Sequence, residues 1–174
     1  MKGFFKQNKG FSLVELLIAL LIMAIIAATA ITLFGGVLET SRGGADRETA
    51  DAIKRAILTY MNAANDPDLS ALGIKDDGSS QSQVLVDQLA CKVTIADDNT
   101  SSIKKIDGSN ANPATGTAAD NEIPGTFGPF LEEEGVKPTQ AGMNGWDITI
   151  DKVNQIIEVK AAELAAGTTG LAFN

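Results

Sequence analysis

The sequence predicts an α+β chain: one long N-terminal helix, apolar in its first half and amphipathic in its second, packed on a small antiparallel β-sheet. Three observations predict it. Leu16 to Leu38 is a run of 23 residues without a charged side chain. Beyond it, Ala52, Ile53, Ala56, Ile57, Tyr60, Met61 and Ala64 recur at helical spacing on one stripe. Near the C-terminus, "WDITIDKVNQIIEVKA" alternates apolar and polar residues on both sides of a short polar break. A half-amphipathic helix needs a partner layer, and an alternating hairpin supplies one.

The elements follow in order. The 23-residue run would be roughly 35 Å long as a helix at 1.5 Å per residue, enough to span hydrocarbon. Gly35-Gly36 and Gly43-Gly44 are weak points, because glycine costs about 1 kcal/mol relative to alanine in a helix interior. Asp46 is a candidate N-cap for the amphipathic half, and Asn65-Asp66-Pro67 ends it at about residue 65. Residues 66–83 read as loop. "VLVDQLACKVTIADD" reads as a short helix followed by a strand over Lys92–Ile95. Residues 97–126, rich in Asp, Asn, Ser, Thr, Gly and Ala, read as a long solvated loop. "GPFLEEEGVKPTQAGMNG" is a turn-rich connector, with Glu132 to Glu134 on a solvated face. In the hairpin, a four-residue loop from Lys152 to Gln155 sets Ile150 opposite Ile157, Ile148 opposite Val159 and Asp147 opposite Lys160. The tail, "AELAAGTTGLAFN", adds a further strand or lies along the sheet edge.

Composition excludes several function classes. The chain has 174 residues, with 14 basic and 22 acidic side chains and no histidine. Without histidine there is no Ser-His-Asp or Cys-His catalysis and no His-ligated zinc. Lys2, Lys6 and Lys9 precede the apolar run; without residues 1–10 the balance is 11 basic against 22 acidic, a net charge of −11. Such a body does not attract phosphate backbones, so nucleic acid is not an expected partner. The single cysteine, Cys91, forms no intramolecular disulfide and reads as a small buried hydrophobe rather than a reactive thiol. "DDNTSSIKKIDGSNAN" is rich in oxygen ligands but lacks the D-x-[DN]-x-[DN]-G spacing of a calcium loop, so no metal or cofactor is expected. Asn99-Thr100-Ser101 is a glycosylation sequon by pattern only.

One residue does not fit a plain membrane helix. Glu15 sits at the mouth of the apolar run, where a carboxylate carried towards the bilayer centre costs roughly 2.5–3.5 kcal/mol. A secretory signal peptide cut after Ala28-Thr29-Ala30 would explain the basic start, but the apolar run continues past that site through Ile31, Leu33 and Phe34. A single-pass anchor explains length and orientation, the lysines holding the N-terminus in the cytoplasm, and leaves Glu15 unexplained.

The heptapeptide Lys9-Gly10-Phe11-Ser12-Leu13-Val14-Glu15 closely resembles the prepilin processing site of type IV pilins and pseudopilins. The resemblance implies a cut between Gly10 and Phe11 by a prepilin peptidase, N-methylation of Phe11, and a role for Glu15 in assembly. It divides the chain into a leader (1–10), a transmembrane and assembly half of the helix (11–38) and a globular pilin domain (39–174), the family's lollipop. The cut creates an ammonium on Phe11, four residues before Glu15. In low dielectric, that cation, from the same subunit or a neighbour, is the counter-charge a buried carboxylate requires.

The family often has Gly and Pro at the places held here by Ala24 and Thr32; the glycine pairs at 35–36 and 43–44 are then the yielding points. The implied function is structural: a non-enzymatic subunit, held in the cytoplasmic membrane as a precursor and extracted by an assembly platform and ATPase. It then homopolymerises into a surface pilus for adhesion, motility or DNA uptake. A pseudopilin of a secretion or competence system is the alternative, and a membrane-tethered binding module a further one. The polar segment 97–126 leans towards a surface-exposed pilin.

Overall fold

The computed structural model describes residues 11–120 and 122–174. The chain divides into two compact units, Met1–Ser41 and Arg42–Asn174. A single helix, α1 (Leu13–Ala64), contributes to both and runs unbroken through both glycine pairs.

In the first unit the large apolar side chains from Phe11 to Leu38 are all exposed. The hydroxyls of Thr29 and Thr32 bond back to the carbonyls of Ile26 and Thr29, both at 2.9 Å. This back-bonding satisfies the only polar side chains between Leu16 and Phe34 within the helix itself.

In the second unit α1 buries Ala50, Ile53, Ala56, Ile57, Tyr60, Met61 and Ala64. The stripe is the expected one, with Ala50 more buried than Ala52. The helix ends as the Asn-Asp-Pro signal requires. Asn65 takes the left-handed conformation at φ 55°, and the Asp66 N–H donates to the Met61 carbonyl at 3.2 Å. That is a Schellman-type closure with asparagine in the place glycine usually holds. Asp46, by contrast, is not an N-cap. The helix is continuous across residues 43–46, so the local N–H groups already have helical acceptors, and the carboxylate turns to a distant loop instead.

After a 3-10 turn at Ser70–Leu72 come α2 (Ser82–Leu89) and β1 (Lys92–Ile95), both as expected. The segment 97–126 differs from expectation: it holds β2 (Thr100–Lys104), β3 (Asn110–Thr117) and β4 (Gly125–Phe127). With β1 they form a four-stranded antiparallel sheet in the order β3-β2-β1-β4. The reason is the size of its inward residues. Ser101, Ala111 and Ala118 are buried, so the alternation carries little hydrophobic contrast. The buried Ser101 hydroxyl is fully employed, donating to the Ala71 carbonyl at 2.5 Å and accepting from the Gly116 N–H at 2.8 Å.

The predicted hairpin is β5 (Gly145–Asp151) and β6 (Ile156–Ala162), in the predicted register: Ile150 pairs with Ile157, Ile148 with Val159 and Asp147 with Lys160. The tail forms β7 (Leu171–Phe173), which pairs parallel with β5, giving a second sheet in the order β6-β5-β7. One antiparallel sheet was expected; there are two, and one of the pairs is parallel. The buried face of α1 joins Leu85, Leu89, Ile103, Trp146, Ile148, Ile150 and Ile157 in one core. Trp146 is buried with its indole N–H donating to the Val136 carbonyl at 2.8 Å.

Candidate functional site

The residues singled out by sequence lie at the start of α1. Phe11 and Ser12 precede the helix, and the first helical bond runs from the Leu16 N–H to the Ser12 carbonyl at 3.2 Å. Glu15 falls in the first turn, where unpaired backbone N–H groups and the helix dipole favour a negative side chain. Phe11 is 85% exposed. Gly10, on the other side of the expected cut, lies outside the described residues, as does the rest of the expected leader. From Leu13 onward the helix is long and apolar enough to cross a membrane, and none of its most apolar stretch is buried among the described residues.

The second unit holds no cluster of three or more metal-ligating side chains among the described residues. Cys91 is 2% exposed, between α2 and β1. Burial, reinforced by Glu134, pushes its thiol up to about 11, so it is neither a nucleophile nor a ready ligand at neutral pH. Glu132 and Glu133 are exposed as expected, while Glu134 pairs with Lys105 at 2.6 Å. Asn99 lies in the turn before β2 and donates its amide to Asp120 at 2.6 Å.

Two buried polar groupings were not visible in sequence. In the first, Asp46, 4% exposed, accepts from the Thr139 N–H at 2.7 Å, the Thr139 hydroxyl at 2.9 Å and the Gln140 N–H at 3.0 Å. Burial alone would raise its carboxyl, but these three donors outweigh it and hold the group below the usual carboxylate value. In the second, Tyr60, Asp66 and Glu122 meet where α1 ends. The Tyr60 hydroxyl donates to Asp66 at 2.8 Å, and Ser70 donates its hydroxyl to Glu122 at 3.0 Å. The Asn-Asp-Pro triplet signalled only a helix stop; nothing in it pointed to the carboxyl of Glu122, far downstream in the chain.

Residues 5–31 match the model of the prokaryotic N-terminal methylation motif. No curated protein and no solved structure matches the chain. The matched stretch takes in the Gly10-Phe11 junction, Glu15 and the exposed apolar start of α1. At its N-terminus, therefore, this chain carries the prepilin-type signature of type IV pilins and pseudopilins.

Proposed function

We propose that the chain is a structural subunit of a type IV pilus, cut between Gly10 and Phe11, methylated on the new Phe11 amine and polymerised through α1. One observation carries this reading: a prepilin-type motif heads a helix whose apolar side chains find no cover among the described residues. Such a surface has two stable environments, lipid and the helices of other copies. The precursor occupies the first, with Lys2, Lys6 and Lys9 on the cytoplasmic side. The filament supplies the second. Moving apolar side chains from lipid to neighbouring helices gains little hydrophobic energy, so close packing and charge pairing select the register. Ala19, Ala24, Ala27, Ala28 and Ala30 allow close approach, and Glu15 meets the ammonium of a Phe11. Contacts of this heterologous kind do not close and build an open filament. The partners are further copies of the chain, a prepilin peptidase, and an assembly platform with its ATPase.

The pseudopilin reading rests on the same motif. The polar segment 97–126, which holds three strands joined by turns, does not separate the two readings. Electron microscopy of sheared cell-surface material, with antibody to residues 42–174, tests the proposal. Label along long fibres is expected; label confined to the membrane fraction would overturn the pilus reading in favour of the pseudopilin.

A further inference from the structure

The Asp66–Glu122 pair is built unlike an ion pair. Asp66 is 0% exposed and Glu122 7%. Asp66 receives three donors: the Tyr60 hydroxyl at 2.8 Å, the Ser70 N–H at 3.1 Å and the Ala71 N–H at 3.0 Å. Glu122 receives two, both on Oε1: the Ser70 hydroxyl at 3.0 Å and the Ala119 N–H at 2.7 Å. Its second oxygen, Oε2, is buried and receives no donor among the described residues. Ser70 bridges the two carboxyls, giving its N–H to one and its hydroxyl to the other. The titratable groups facing the pair are Tyr60 from α1 and the two carboxyls themselves. Among the described residues no lysine or arginine forms an ion pair with either carboxyl.

Two ionised carboxylates without a cation are not stable at such burial. A neutral carboxylic acid has one oxygen that accepts and one O–H that donates. Glu122 has that arrangement, with Oε1 accepting twice and Oε2 lacking a donor. Asp66, with three donors, has the arrangement of the ionised partner. We propose that Asp66 and Glu122 hold one proton between them in the folded protein, Glu122 donating through Oε2 and Asp66 accepting, so that the second unit is a pH sensor that loosens as pH rises. This goes beyond the filament reading and does not depend on it.

The direction follows from linkage. Burial raises both carboxyls above their ordinary values; Asp66 raises Glu122 further, whereas Glu122 acts on Asp66 in the opposite direction, favouring its ionised form. The unfolded chain releases the proton above about pH 4.3, while the folded chain keeps it. Above that pH the folded state binds more protons than the unfolded state, so stability falls as pH rises until the pair's folded value is passed. Within that window the unfolding constant grows by up to about tenfold per pH unit from this pair alone.

Two measurements on the full chain in detergent test the proposal. Infrared spectroscopy at pH 7 should show the carbonyl band of a protonated carboxylic acid, lost in Glu122→Gln. Absence of that band from the wild-type protein would overturn the proposal without recourse to any variant. Unfolding followed from pH 5 to 9 should show the wild type losing stability relative to Glu122→Gln. The glutamine amide donates to Asp66 at every pH, so its curve lacks this contribution. Parallel curves for the two proteins would equally overturn the shared proton.

Discussion

Asp46 and Thr139 are 93 positions apart and joined twice, the Thr139 backbone N–H at 2.7 Å and its hydroxyl at 2.9 Å both donating to the same carboxylate oxygen, Oδ1. The Gln140 N–H takes the other oxygen at 3.0 Å. A residue that looked like a helix start is instead the post to which the connector before β5 is tied. Asp46→Ala should destabilise the second unit by about 1.5–3 kcal/mol, the range for hydrogen bonds to a charged group, and denaturant unfolding of the full chain measures it. The pH dependence has a definite sign. Asp46 is held below its usual value, so its contribution is present above about pH 3.9 and is lost as pH falls through its folded value. The gap between wild type and variant should therefore close in acid.

Gly116 in β3 lies where two backbones touch. A Cβ there would fall 2.6 Å from the Ala71 carbonyl oxygen and 2.6 Å from the Gly73 nitrogen. Neither neighbour is a side chain that can swing away. Gly116→Ala should cost about 1–3 kcal/mol, as overpacking does, and thermal melting reads the loss. Gly108, in the turn between β2 and β3, has nothing within 4 Å of such a Cβ but has φ +85°. Its alanine variant tests backbone strain without crowding, and should cost less.

The legibility of this fold in sequence varied with hydrophobic contrast. The hairpin register was readable because Trp146, Ile148 and Ile150 alternate against Asp147 and Thr149, and a slip by one residue would put every isoleucine in water. The first sheet was not readable, since Ser101 and Gly116 look like loop residues unless one knows that the chain from Ser70 to Gly73 lies against them. The tail strand was anticipated without its direction, because β7 pairs parallel to β5 and parallel pairing has no local turn signal. The N-terminal motif was legible because its pattern is local: a Gly-Phe junction, an acid four residues on, and an apolar run. Asp46 and the Asp66–Glu122 pair owe their roles to contacts across 52 to 94 positions, which no spacing pattern records.

Glu15→Gln should block or misregister assembly while leaving processing intact. In the proposed reading the cut would be directed by Gly10 and its neighbours, whereas the carboxylate's counter-charge would exist only after the cut. Removing one partner of a buried pair costs about 3–5 kcal/mol, enough to shift a growing tip towards release. Glutamine keeps size and hydrogen bonding and removes only the charge; Glu15→Ala removes all three. Filament yield in sheared fractions, scored beside the mass of the processed subunit, separates assembly from processing. Normal filament abundance in both variants would show that charge pairing does not select the register.

The central claim is that residues 1–10 are a leader and that Phe11 begins the working subunit. Intact-mass measurement with N-terminal sequencing, on the protein isolated from cells, tests it most directly. A chain starting at Phe11 with one added methyl on its amine is expected. A chain starting at Ile31 would mean that a signal peptidase removes the apolar helix, and would contradict both the assembly role of Glu15 and the filament itself.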